Sequence, residues 1–184
     1  MNTPNKLTVL RMALVPVFIA LFYLDAVPLH ALWAFIVFAA ASLTDMLDGR
    51  IARSRGLVTD FGKFMDPLAD KILVVSAMVC LMDVSLASAL AVIIVVAREF
   101  LVTSLRLVAA PKGIVIAADK WGKYKTVSQM IWICAALLME GVSGGAWSPA
   151  MQGVNTALMA LAVVLTVISG ANYVWKNREL FRDR

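Results

Sequence analysis

The hydrophobic residues of this chain gather into six long stretches, at roughly 7–25, 29–51, 67–84, 87–108, 124–141 and 152–173. Each approaches the ~20 mostly apolar residues that a helix needs to cross a bilayer. Polar breaks separate them: Asp25-Ala26-Val27-Pro28 after the first, Asp83 and Ser85 between the third and fourth, and the Gly- and Ser-rich segment 141–149 between the fifth and sixth. Residues 1–6, including Asn2, Thr3, Pro4, Asn5 and Lys6, read as a short interfacial lead-in. Arg11 interrupts the apolar core of the first stretch and no small-x-small cleavage site follows, so a signal peptide is not expected. The pattern predicts an all-α fold, a bundle of six transmembrane helices forming one domain over residues 1–184.

Composition narrows the class. Apolar residues make up 61% of the 184 and charged residues 16%, and the mean hydropathy is +0.84. Soluble domains are roughly 45–50% apolar and about 25% charged. One of this length could not bury the excess, and a disordered chain would be polar. An integral membrane protein remains, too short to carry a sizeable soluble domain as well. The net charge of +5 points to anionic headgroups and membrane orientation rather than nucleic acid. Cys80 and Cys134 both lie within apolar stretches, as packing side chains rather than a disulfide or metal pair. His30 is the only histidine, so a metal here would be held by oxygen ligands.

The charges set an orientation. With six spans, both termini, the 50–66 loop and the 109–123 loop share one side. All 17 Lys and Arg fall on that side when Arg11, Lys71, Arg98, Arg106 and Lys125 are counted with their nearer loops. The opposite loops carry Asp25, Asp83 and Glu140. The positive-inside rule then makes both termini cytoplasmic.

The polar anomaly is 44–71, which contains Thr44, Asp45, Asp48, Gly49, Arg50, Ala52, Arg53, Gly62, Asp66, Asp70 and Lys71. Carboxylates at membrane depth are costly and by default functional. On a helix, Asp45, Asp48, Gly49, Ala52 and Arg53 fall within roughly 140° of one face, and Asp66 and Asp70, four apart, share a face of the next helix. Two antiparallel helices can thus gather four carboxylates at the cytoplasmic surface, in a cavity open to that side. Their mutual repulsion calls for one or two divalent cations, and all-oxygen ligation suits Mg²⁺ or Mn²⁺. Gly49, Ala52 and Gly62 leave room for close approach to the backbone. A structural alternative makes Asp66 an N-cap with Pro67 at the first helical position and pairs Asp45 with Arg50 or Arg53. It leaves four acids on facing helices unexplained.

These residues resemble the signature of the CDP-alcohol phosphotransferase family, D-x-x-D-G-x-x-A-R-x8-G-x3-D-x3-D, at Asp45, Asp48, Gly49, Ala52, Arg53, Gly62, Asp66 and Asp70, with no departure. A chance match at eight fixed positions has a probability on the order of 10⁻¹⁰. The resemblance implies transfer of a substituted phosphoryl group from a CDP-linked donor to an alcohol, with release of CMP. It implies that Asp45, Asp48, Asp66 and Asp70 hold one or two divalent metals, that Asp70 is the general base, and that Thr44, Asp48, Gly49, Ala52, Arg53 and Gly62 shape the donor site. A homodimer in the bacterial cytoplasmic (inner) membrane is implied in the same way.

A second basic cluster bears on the acceptor. Arg98 and Arg106 interrupt the fourth stretch, and Lys120, Lys123 and Lys125 lead into the fifth. Headgroup attraction accounts for the lysines but poorly for two arginines inside an apolar stretch. A cationic pocket favours an anionic acceptor such as a phosphate monoester. The segments 4–11, 97–99 and 120–126 resemble family members that join CDP-diacylglycerol to sn-glycerol 3-phosphate. That likeness implies Arg98, Arg106, Lys120 and Lys123 at the acceptor phosphate and Asn5, Thr8 and Arg11 toward the nucleotide, with Lys125 equally readable as a plain interfacial lysine. Trp33, Trp121, Trp132, Trp147 and Trp175 read mostly as interface anchors or membrane packing. Competing readings keep the donor and change the acceptor to serine, inositol phosphate or phosphatidylglycerol, or make the chain a prenyltransferase or a divalent-cation transporter. The Asp-Gly-x-x-Ala-Arg core counts against the prenyltransferase, and arginines beside the acids count against a cation pathway.

Overall fold

The computed structural model describes residues 3–55, 60–112, 114, 116 and 119–181, with the side chains of 3–6, 45–55, 60–64, 66–67, 70, 112 and 180–181 outside that description. Among the described residues the chain is all-helical: α1 (Thr3–Tyr23), α2 (His30–Arg55), α3 (Asp60–Asp83), α4 (Ala89–Ala109), α5 (Lys120–Ser143) and α6 (Pro149–Lys176), with short 3₁₀ turns at Ala110–Lys112 and Arg178–Phe181. Each expected stretch corresponds to one helix. By length and composition, α5 and α6 are apolar enough to cross a membrane, and Leu7–Tyr23 and His30–Thr44 are shorter apolar stretches.

Three boundaries differ from expectation. Residues 3–6 are the first turn of α1 rather than a separate lead-in, because proline is tolerated where a helix has no backbone acceptor for its N–H. The second helix runs on to Arg55, so Thr44 to Arg53 lie on one continuous helix. The third begins at Asp60, which puts Pro67 in its interior and removes Asp66 as its N-cap. Hydropathy drops across these polar turns, but helical hydrogen bonding does not depend on apolar side chains.

The turns at 24–29, 84–88 and 144–148 contain no Lys or Arg. Ser88 caps α4, its hydroxyl accepting from the Ala91 N–H at 3.1 Å. Gly144, at φ 57°, ends α5 in the left-handed conformation that glycine adopts freely, its N–H donating to Glu140 O at 3.0 Å.

The chain divides into two compact units. The first comprises residues 1–86 and 134–148: α1, α2, α3 and the second half of α5. Its core carries Phe18, stacked obliquely between Phe22 and Phe38 at 6.2 and 5.9 Å. Helix α2 contributes the buried stripe Ala34, Phe38 and Ala41, and α3 contributes Ala69, Leu73, Ala77 and Leu81, spaced three or four apart as one helix face requires. Both helices pack against α1. The second unit comprises residues 87–133 and 149–184: α4, the first half of α5 and α6. Val102 and Leu105 pack on Tyr173, with Ile116 and Val174 alongside. Trp132 is fully buried and donates its indole N–H to Asn155 Oδ1 at 3.0 Å.

Candidate active site

Helix register places the four aspartates. Seven residues turn an α-helix to within about 20° of the starting direction. Asp45 and Asp48 therefore follow Phe38 and Ala41 on α2, and Asp66 and Asp70 precede Leu73 and Ala77 on α3. Those four apolar residues are buried, so the acidic positions continue the core-facing stripes of both helices toward the α2–α3 connection. The side chains of Asp45, Asp48, Asp66 and Asp70 themselves lie outside the described residues, as do those of Asn5, Gly49, Ala52, Arg53 and Gly62.

The remaining donor-side residues are described. Thr8 and Arg11 are buried, each 2% exposed, one turn apart on α1. Thr44 donates its hydroxyl to Ala40 O at 2.7 Å, a local bond to the preceding turn.

Three helices of the second unit assemble the basic residues. Arg98 donates from Nη1 to Glu99 Oε1 at 2.9 Å and from Nη2 to Ser169 Oγ at 2.5 Å. Its Nε is buried and has no hydrogen-bond partner among the described residues. A Cβ added to Gly122 would stand 3.5 Å from Arg98 Nη2, and one added to Gly170 would stand 3.2 Å from Arg98 Cγ. Gly170 therefore makes room for the stem of this side chain, whereas a Cβ at Gly122 would be in ordinary contact with its tip. Arg106 donates from Nε to the Tyr173 hydroxyl at 3.0 Å. Lys120 and Lys123 are exposed at the start of α5. Asp119 caps that helix: its Oδ1 accepts from the Lys120 N–H at 2.8 Å, and its carbonyl accepts from the N–H groups of Gly122 and Lys123. Asn172 Nδ2 donates to the other carboxylate oxygen, and Lys176 Nζ stands 3.3 Å from Oδ1.

Lys125 is no plain interfacial lysine. It is 4% exposed and donates to Glu99 Oε1 at 2.7 Å, so Glu99 is shared between Arg98 and Lys125. Of the tryptophans, Trp132 is core, whereas Trp33, Trp121 and Trp175 are exposed. Ser169, Asn172 and Tyr173 carried no expected role. Their signal was present as polar residues spaced three and four apart within an apolar helix.

A family model described as CDP-alcohol phosphatidyltransferase matches residues 1–168. The chain belongs to this family. Its relatives include the CDP-diacylglycerol–glycerol-3-phosphate 3-phosphatidyltransferase of Bacillus subtilis (strain 168), 42% identical over 98% of this chain and 97% of the relative. Proteins of the same name from Rickettsia bellii (strain RML369-C) and Haemophilus influenzae (strain ATCC 51907 / DSM 11121 / KW20 / Rd) are 37% and 33% identical, over 94% of this chain and 93% and 91% of theirs.

By chemistry alone, the four carboxylates suit a divalent ion. Four carboxylates at register positions that continue buried stripes are hard oxygen donors, the ligand class of Mg²⁺ and Mn²⁺. A recess lies elsewhere in the first unit. A cavity of about 520 Å³, lined by Tyr23, Asp25, His30, Asp83 and Glu140 among others, opens at the far end of α2. The 18 residues from His30 to Asp48 put it ~27 Å along the helix from the signature. His30 is occupied there, with Nδ1 2.9 Å from Phe22 O and Nε2 3.5 Å from Asp25.

Proposed function

We propose that this protein is an integral membrane enzyme that transfers the phosphatidyl group of CDP-diacylglycerol to sn-glycerol 3-phosphate, giving phosphatidylglycerophosphate and CMP. The observation that carries the reading is the intact eight-position signature on two helices whose buried stripes it continues. The names of the relatives support the choice of donor and acceptor.

The whole chain acts as one family domain. Its six helices span the cytoplasmic (inner) membrane with both termini inside, which the cation-free turns at 24–29, 84–88 and 144–148 support. The donor's acyl chains stay in the bilayer while its diphosphate enters a cavity open to the cytoplasm, where the acceptor and CMP exchange with water. Asn5, Thr8, Arg11, Thr44, Asp48, Gly49, Ala52, Arg53 and Gly62 form the donor site. Arg98, Arg106, Lys120 and Lys123 bind the acceptor's phosphate. Asp70 takes the proton from the acceptor hydroxyl as its oxygen attacks the phosphatidyl phosphorus and the P–O bond to CMP breaks. Asp45, Asp48, Asp66 and Asp70 would hold Mg²⁺ or Mn²⁺, which would supply charge neutralisation for the diphosphate chemistry. The family resemblance adds a homodimer.

An acceptor panel tests the assignment. Purified protein in lipid nanodiscs receives labelled CDP-diacylglycerol with glycerol 3-phosphate, inositol phosphate, serine, phosphatidylglycerol or water, and the lipid product is identified. Phosphatidylglycerophosphate as the dominant product supports the reading. A product from another acceptor, with glycerol 3-phosphate inert, overturns it.

A further inference from the structure

The acceptor-side cations do not hold themselves in place. Long cationic side chains carry much rotamer freedom, and like charges gathered around one anion site repel. Binding is efficient only where the protein orients them beforehand. Apart from Glu99, which takes Nη1 of Arg98, the partners that orient them lie on one helix. Ser169 accepts from Arg98, Asn172 donates to Asp119 and Tyr173 accepts from Arg106. With Lys176, which pairs with Asp119, these residues fall within about 100° of the α6 surface. Asp119 in turn caps the helix end that bears Lys120 and Lys123. Gly170, beside Ser169, gives the Arg98 stem its space.

We infer that this stripe of α6 is a positioning template for the acceptor's phosphate. Ser169 and Tyr173 orient the two arginines, and Asn172, through Asp119, fixes the start of α5. The inference rests on the function proposed above and assigns a role to α6 that the aspartate signature does not contain. The Nε of Arg98, buried and without a hydrogen-bond partner among the described residues, is the donor that such a template holds for an incoming acceptor. Ser169 and Tyr173 touch neither substrate; they act through the arginines.

The test uses the full chain in nanodiscs, with the KM of each substrate measured separately. Ser169→Ala and Tyr173→Phe should each raise the KM for sn-glycerol 3-phosphate about five- to tenfold and leave that for CDP-diacylglycerol within about twofold. Asn172→Asp sets a second carboxylate against Asp119 and should raise the acceptor KM further. The exchange Asp119→Asn with Asn172→Asp restores one amide-to-carboxylate bond and should recover most of the loss. An unchanged acceptor KM in both Ser169→Ala and Tyr173→Phe overturns the inference, as does a parallel rise in both substrates' KM, the mark of a general packing role. If the wild-type protein ignores glycerol 3-phosphate but uses another phosphate-bearing acceptor, the acceptor assignment fails. The same KM split, measured on that acceptor, then decides the template.

Discussion

Gly141 fixes how closely α5 approaches α2 inside the first unit. A Cβ built there would lie 2.7 Å from Leu32 N, 2.8 Å from its Cα and 2.9 Å from its Cβ. Two of these neighbours are backbone and cannot swing aside. Restoring ordinary contact at 3.4 Å requires a backbone displacement of about 0.7 Å. Overpacking of this kind costs about 1–3 kcal/mol. At ~2 kcal/mol the folded-to-unfolded ratio falls roughly 30-fold, and Tm drops by about 4–8 °C for a chain of this length. Gly153 is the control, since a Cβ there meets nothing within 4 Å. Gly153→Ala should gain about 0.5–1 kcal/mol from reduced backbone freedom in the unfolded chain. Thermal unfolding in detergent micelles, followed by far-UV circular dichroism, reads both variants. A Tm for Gly141→Ala at or above wild type would refute the close-approach argument.

Three further outcomes are expected. Asp48→Asn and Asp66→Asn should abolish CMP release while the protein still inserts and purifies; near-normal turnover in either would remove the carboxylate site. Arg106→Ala should mainly raise the KM for the anionic acceptor, because it removes the guanidinium proposed to bind the acceptor's phosphate, and an unchanged acceptor KM would assign that arginine to lipid instead. Activity should vanish in a chelator and return on adding Mg²⁺ or Mn²⁺; full activity in the chelator would sink the metal assignment.

The helices were legible because each corresponds to one long apolar stretch bounded by polar breaks. Their ends were less so. Hydropathy falls at Asp60-Phe61-Gly62-Lys63, yet α3 starts at Asp60, since backbone hydrogen bonds continue wherever φ and ψ permit. The same gap made Pro67 look like a helix start. At the site, the aspartates stood out through spacing alone, because carboxylates in an apolar context are rare and their three- and four-residue intervals survive inspection by eye. Contacts between distant segments left no such trace. Lys125 pairs with Glu99 across 26 positions, and nothing local separates such a lysine from one that meets headgroups. Ser169, Asn172 and Tyr173 are small or aromatic residues that apolar helices carry for many reasons. Only their partners 71, 53 and 67 positions away reveal their use.

The distance in sequence between Arg98 or Arg106 and their hydroxyl partners also orders the biogenesis of the protein. Ribosomes add about 5–20 residues per second, so α4 emerges several seconds before the α6 hydroxyls that receive its guanidinium groups. During that interval Arg106 lacks the hydroxyl it will donate to, and Arg98 has Glu99 of its own helix but not yet Ser169. A chain stopped before α6 would carry both guanidinium groups without these two partners.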